Sequence, residues 1–278
     1  MDKIALAKKV EFIKGKEPNQ KQVIIEPLFP GYGITLGNSL RRVLLSSLPG
    51  SAVVGVKIKG ANHEFMTLPH VKEDVLEMIL NLKQLSLKVF ADEVVKLELA
   101  VRGEKEVKAG DITKNSQVEI ANPDLVIAHI TDMAGSLAME ISVGQGTGYE
   151  TIESRESKKQ EIGYIEMDSI FTPVLSVGLK VENMRVGKMT NWDRLILNII
   201  TDGTITPEES FNATVDILIK QYNALINRLE PETKEEEASP APAAATMEAK
   251  PEQPAAELLA SEEKKPKKRG RPRKINIS

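Results

Sequence analysis

Apolar positions along the chain follow two periods. KQVIIEPL (21–28), SAVVGVKIKG (51–60), SLKVF (86–90), VVKLELAV (94–101), SQVEI (116–120) and SLAMEISVG (136–144) alternate or run β-branched, as half-buried strands do. Strands therefore dominate the front and middle of the chain, and three other stretches read as helices. The first runs from about Thr35 to Ser47, where Leu36, Leu40, Val43, Leu44 and Leu48 form one face at 3.6 residues per turn and Pro49-Gly50 ends it. At ~100° per residue, Arg42 lies about 160° from Leu44 and ~60° from Leu45, which puts Arg42 and Leu45 together away from the core stripe. The second helix is VKEDVLEMILNLKQL (71–85). Its apolar face is Val75, Leu76, Ile79, Leu80 and Leu82, with Glu73, Asp74 and Glu77 at its positive end and Lys83 near its negative end. The third starts at TPEES (206–210), with Thr206 as N-cap, Pro207 at the first helical position and Glu209 completing a capping box. From there Phe211, Val215, Leu218, Tyr222, Leu225 and Leu229 step as a heptad seam, with Ile219 and Ile226 on its flank. A face this wide suits packing both on its own domain and on another chain; a simple core helix is the other reading.

The pattern stops near Pro231. Beyond it come regular Pro, little large apolar content and a Lys/Arg cluster, so 232–278 is expected to be a disordered tail, with at most a transient turn at ELLAS (257–261). The formal net charge of −3 hides an asymmetry. Residues 232–263 carry nine Glu against two Lys, net −7; residues 264–274 carry five Lys and three Arg, net +8; residues 1–231 are left at −4. An acidic tail with a basic tip points to an anionic partner at that end.

Composition narrows the chemistry. The 278 residues are 41% hydrophobic and 28% charged, ordinary for a globular protein, and the 4% aromatic content makes the core mostly aliphatic. There is no Cys, hence no disulfide, no Cys zinc site and no thiol nucleophile. The start MDKIALAKKVEF lacks a signal-peptide stretch and no run approaches the ~18 apolar residues of a membrane span, so a cytoplasmic protein is expected. His63, His70 and His129 stand at no metal-ligand spacing and read as structural or surface residues. GYGITLG (31–37) has the look of a nucleotide loop, but it is GxGxxxG and lacks the Lys-Ser/Thr of a phosphate cradle. It reads instead as a loop whose glycines permit positive φ and close backbone approach. GQGTGY (144–149) reads as a mobile connector, no GxSxG elbow occurs, and no Asp cluster suited to catalytic Mg²⁺ appears. The organised features are interaction faces.

EPLFPGYGITLGNSLRRVLLSSLPGSAV (26–53) closely resembles the signature of the bacterial DNA-directed RNA polymerase alpha subunits. HEF (63–65), VKEDVLEMILNLKQL (71–85), GDIT (110–113), HITD (129–132), GTGY (146–149) and DGTITPEES (202–210) follow in that family's order, so the resemblance covers about residues 1–230. It implies an α+β fold in which a discontinuous dimerisation domain, 1–48 and 174–231, carries two packed helices on a sheet. A β-rich insert domain, 49–173, would interrupt it, with the tail at 232–278. It implies a homodimer in which Tyr32, Leu36, Leu40, Phe211, Val215, Leu218, Tyr222, Leu225 and Leu229 lie at the interface. Arg42 and Leu45 would contact the beta subunit, and Lys83 and Met167 the beta-prime subunit. The dimer would scaffold assembly of a nucleotidyltransferase whose catalytic Mg²⁺ resides in the partner subunits, with no cofactor and no catalytic residue in this chain.

The family usually continues through a linker into a small helical domain that binds upstream DNA and activators; 231–278 is too short and too polar to contain it. KKPKKRGRPRK (264–274), whose Arg269-Gly270-Arg271-Pro272 resembles an AT-hook, is expected to serve in its place. Gly and Pro suit an extended backbone low in a narrow minor groove, and Arg side chains read that groove's negative potential. Lys264 to Lys268 would add phosphate contacts, and the expected DNA-binding set runs from Lys267 and Lys268 through the hook to Arg273 and Lys274. A generic polyanion-binding tail is the competing reading. Two other functions stay open at this stage: a free-standing DNA-binding architectural protein using the tail, and a small nucleotide-binding enzyme using GYGITLG.

Overall fold

The computed structural model describes residues 4–91, 93–155 and 162–229. In chain order the elements are β1 (Lys9–Lys14), β2 (Gln20–Leu28), α1 (Tyr32–Ser46), β3 (Pro49–Ile58), α2 (Val75–Leu82), β4 (Leu87–Val89), β5 (Val95–Arg102), β6 (Lys105–Lys108), β7 (Val118–Ile120), β8 (Val126–Ile130), β9 (Ser136–Thr147), β10 (Tyr149–Glu150), β11 (Tyr164–Glu166), β12 (Ser169–Ile170), β13 (Val174–Val186), β14 (Met189–Thr201) and α3 (Pro207–Leu229). One antiparallel sheet has the order β1-β2-β14-β13 and another the order β11-β3-β9-β5; β10-β12, β4-β7 and β6-β8 pair as small ribbons.

Two hydrophobic cores result. The smaller gathers Val23, Ile25, Leu40, Leu44, Leu195, Leu197, Ile199 and Phe211, so it is assembled from both ends of the described range. The larger is built entirely from the residues between, from Val53 to Met167. The fold is the expected mixture of helices and antiparallel sheets, with α1 and α3 packed together on the first sheet.

The two longest strands, β13 and β14, lie in a stretch that the hydrophobic pattern leaves unassigned. Their period is nonetheless two: Leu195, Leu197 and Ile199 point into the core while Arg194, Ile196 and Asn198 face outward. Gly187, at φ 61°, turns one strand into the other.

Glycine explains a second difference. GYGITLG is not a loop but the start of α1. Only Gly31, at φ 87°, needs the left-handed region. Gly33 and Gly37 lie one turn apart on the buried face, where a Cβ would come within 2.8 Å of Val181 and 2.5 Å of Leu179. Their missing side chains let the helix lie directly on β13. Likewise GQGTGY is no mobile connector: β9 runs through Thr147, and Tyr149 begins β10. The second helix is shorter than expected because Asp74 caps it, accepting from the Glu77 N–H at 2.7 Å, and Val71 pairs with Ile130 instead.

Candidate partner-binding surfaces

Helix α1 carries no cap of its own. Asp193 on β14 supplies one: its carboxylate accepts from the N–H groups of Gly31 and Gly33 at 2.9 and 3.0 Å. Two orphan donors at the positive end of the helix are thereby satisfied by an anion. Beside this cap, Phe29 stands edge-on to both Tyr32 and Trp192, with ring centroids 6.1 and 6.0 Å apart. Tyr32 is half-buried there.

Helix α3 opens with the expected capping box. Thr206 N–H donates to Glu209 Oε2 at 3.1 Å, and Glu209 N–H donates to Thr206 Oγ1 at 3.2 Å. Its apolar seam then divides. Phe211 is buried against the edge of Phe12, and Val215 and Leu218 are half-buried on the same core. Further along, Ile219, Tyr222, Leu225 and Ile226 are 50, 55, 60 and 55% exposed. Contiguous apolar area of this kind on a polar molecule marks an association surface. The side chain of Leu229 lies outside the described residues.

The same division sorts the residues expected at an interface. Leu40 and Phe211 are core residues of this chain and have little area left for a partner, whereas Leu36 on α1 is 39% exposed. Arg42 is exposed on α1 as the helical wheel requires, but Leu45 is half-buried and packs partly on the smaller core.

Lys83, at the C-terminal end of α2, is exposed and lines a cleft of about 710 Å³ with Leu85, Ile170, Leu175 and Asp202. Nearby, the Ile152 N–H and the Tyr149 hydroxyl donate to Asp168. The Ile152 bond first, then Tyr149 and the positive Lys83 and Arg155, outweigh burial and hold the Asp168 carboxyl below its ordinary range. Arg155 clasps this corner, donating to Glu150, to the carbonyls of Val54 and Met167, and to Ser169. Met167 is 2% exposed. The fold does bring it beside the Lys83 corner, but its side chain belongs to the larger core and is withdrawn from any partner.

On α2 the buried residues are Val75, Met78, Ile79 and Leu82. Leu76 and Leu80, expected on the inner face, are instead exposed. At the other end of α2 the histidines find carboxylates. Glu73, nearly buried, accepts from the His129 N–H at 2.6 Å and from its ring. His70 pairs with Asp132 at 3.3 Å. Among the described residues no His/Asp/Glu group is placed to hold a metal ion, and no helix is long and apolar enough to cross a membrane. The tail residues Lys267, Lys268, Arg269, Gly270, Arg271, Pro272, Arg273 and Lys274 lie outside the described residues.

Comparison with known proteins shows the family of the chain. A family model described as the RNA polymerase Rpb3/RpoA insert domain matches residues 56–172. The DNA-directed RNA polymerase subunit alpha of Carboxydothermus hydrogenoformans is 48% identical over 217 residues, 77% of this chain and 69% of that protein. The proteins of the same name from Desulforamulus reducens and Symbiobacterium thermophilum are each 48% identical over 223 residues, 80% of this chain and 70% of theirs. The chain belongs to the DNA-directed RNA polymerase alpha-subunit family.

Within the alpha family's frame, the range matched by the insert-domain model is nearly the range of the larger core. The glycines of the alpha signature are explained by packing: Gly33 and Gly37 face strand side chains, not a phosphate. That removes the nucleotide-loop reading. Alpha-family membership gives no support to a free-standing DNA-binding protein either. Asp193 and the Arg155 clasp are missing from the sequence reading. Asp193 meets N–H groups 162 and 160 residues away, and Arg155 reaches the Val54 carbonyl across 101 residues, separations that no local spacing signals.

Proposed function

We propose that this chain homodimerises through α1 and α3 and that the dimer scaffolds assembly of the beta and beta-prime subunits of a bacterial RNA polymerase in the cytoplasm. The observation that carries the dimer is the seam of α3, satisfied by its own core for two turns and then exposed at Ile219, Tyr222, Leu225 and Ile226. Those side chains are only about half exposed, so burying what remains would contribute roughly 1 kcal/mol each before association costs. Tyr32 and Leu36 extend the same interface. The two cores support a division into a dimerisation domain, 1–48 with 174–231, and an insert domain, 49–173.

Arg42, with the exposed part of Leu45, is the beta contact on this reading, and Lys83 is the beta-prime contact. Catalysis and its Mg²⁺ belong to those large subunits, and this chain contributes no reacting group. The basic tip of the tail, 264–274, adds contacts to duplex DNA.

The test is coexpression of the full chain with the two large subunits of its own source. Light scattering of the chain alone should give twice its 30.6 kDa mass. Affinity capture should then yield beta with the dimer, and beta-prime only once beta is bound. A monomer at about 10 μM, or a dimer that captures neither large subunit, overturns the reading.

A further inference from the structure

Two chain crossings join the two cores: Pro49–Ser51, entering β3 from α1, and Phe171–Pro173, leaving β12 for β13. They touch at one place. Gly50 and Gly146 are direct partners in the β3–β9 register. Phe171 is seated on that pair. A Cβ on Gly50 would lie 1.8 Å from the Phe171 carbonyl oxygen, and one on Gly146 would lie 2.7 Å from the Phe171 ring. The Phe171 N–H donates to the Gly148 carbonyl at 2.8 Å. The ring is 3% exposed, yet it is grouped with neither core. It fills the joint between them.

The cleft that holds Lys83 has one wall from each side of this joint. Lys83, Ser86 and Ile170 come from the larger-core side, and Asn19, Leu175 and Asp202 from the smaller-core side. Its width is therefore set by the angle between the cores. We propose that Phe171, locked against Gly50 and Gly146, is the positioning residue that keeps the two walls of this cleft in register, so that capture of beta-prime depends on that contact. The proposal rests on the assembly reading above. The glycines are what make the joint tight: neither position has room for a methyl group while the Phe171 segment stays where it is. Packed contacts of this sort have discrete arrangements, so a methyl group there shifts one core against the other by a step.

The experiment uses the full-length chain carrying Gly146→Ala, Phe171→Leu or both. Each variant is first assembled with beta and then titrated with beta-prime. Gly146→Ala should keep the dimer mass and bind beta within about twofold of the parent, yet lose about tenfold in beta-prime affinity. Adding Phe171→Leu, which shortens the side chain facing the new methyl, should recover most of that loss. Phe171→Leu alone, which introduces no clash, should fold and lose about threefold for beta-prime only. Small-angle scattering of the Gly146→Ala dimer should report a changed separation of the cores, restored in the double variant. Unchanged beta-prime capture in Gly146→Ala and Phe171→Leu overturns the proposal. So does an equal loss for beta and beta-prime, the signature of plain destabilisation, and so does absence of rescue in the double variant. Failure of the parent itself to capture the large subunits would instead refute the assembly reading.

Discussion

Arg42, the proposed beta contact, should matter to a partner and hardly at all to the fold. It is exposed on α1, opposite the buried Leu44, and among the described residues it ion-pairs with no carboxylate. Arg42→Ala should therefore leave the melting temperature of the dimer nearly unchanged, since Ala is at least as good a helix former. It removes a planar fork able to make two charge-assisted hydrogen bonds, so beta binding should weaken by about 1.5–3 kcal/mol, tenfold or more in a titration. A parent-like titration curve would take Arg42 off the contact surface. Glu73 is the opposite case, a residue that serves the fold alone. Burial pushes its carboxyl up, but the His129 N–H and ring outweigh this and hold it below its ordinary value of 4.5. A carboxyl lowered in the folded state contributes stability that is present above its unfolded pKa and lost as pH falls through the folded one. Glu73→Ala should cost about 2–3 kcal/mol at pH 7, and the gap to the parent should narrow as denaturant melts are taken down to about pH 3. A gap independent of pH would mean that packing, not charge, accounts for the loss.

At the scale of the element, α3 invites a paired test. Leu218→Glu places a charge against the smaller core and should destabilise the folded chain itself by several kcal/mol. Leu225→Glu places it on a side chain 60% exposed, so the chain should stay folded but scatter light as a monomer. Equal melting and equal mass for the two variants would refute the division of the seam. The helix was legible because every signal agrees locally: Thr206 and Glu209 cap it, Pro207 starts it, and the apolar steps keep one period. β13 and β14 were not, because Asn183, Arg185, Asp193, Arg194 and Asn198 break the apolar run while the inward residues are read only by alternation. On α2 the difficulty is reversed: Leu76 and Leu80 are as apolar as the core face, so periodicity cannot tell inside from outside. The apolar residues of α1 and α3 read as a stripe in the sequence, but which of them are spent on the chain's own core depends on where the sheet lies. That is a tertiary fact. The Phe171 joint gave no local signal, since it joins positions 50, 146 and 171.

For the whole molecule, the charge layout poses the remaining question. A body of net −4 and an acidic segment of net −7 are followed by eight positive charges within 264–274. Deleting 264–278 should spare dimerisation and polymerase assembly, which on the proposed reading rest on residues 1–231, and should lower affinity for duplex DNA. Binding through neutralised phosphates releases counterions, so if half of the eight charges engage, the logarithm of affinity should fall with the logarithm of salt at a slope of about −4, and truncation should flatten it. A generic basic tail and a minor-groove hook then part ways at Arg269 and Arg271. Arg is favoured where an A·T tract narrows the groove and deepens its potential, because guanidinium is more weakly hydrated than ammonium. Replacing both by Lys keeps the charge and should leave the salt slope unchanged. It should also erase any preference for A·T-rich over G·C-rich duplex. The measurement is competition between the two duplexes at fixed salt, for the parent, the Lys-swapped and the truncated chains, each assembled as a dimer. A parent without preference would refute the hook and leave the charge. If truncation changes neither affinity nor slope, the tail has no part in holding DNA, and the eight charges must answer to some other anion.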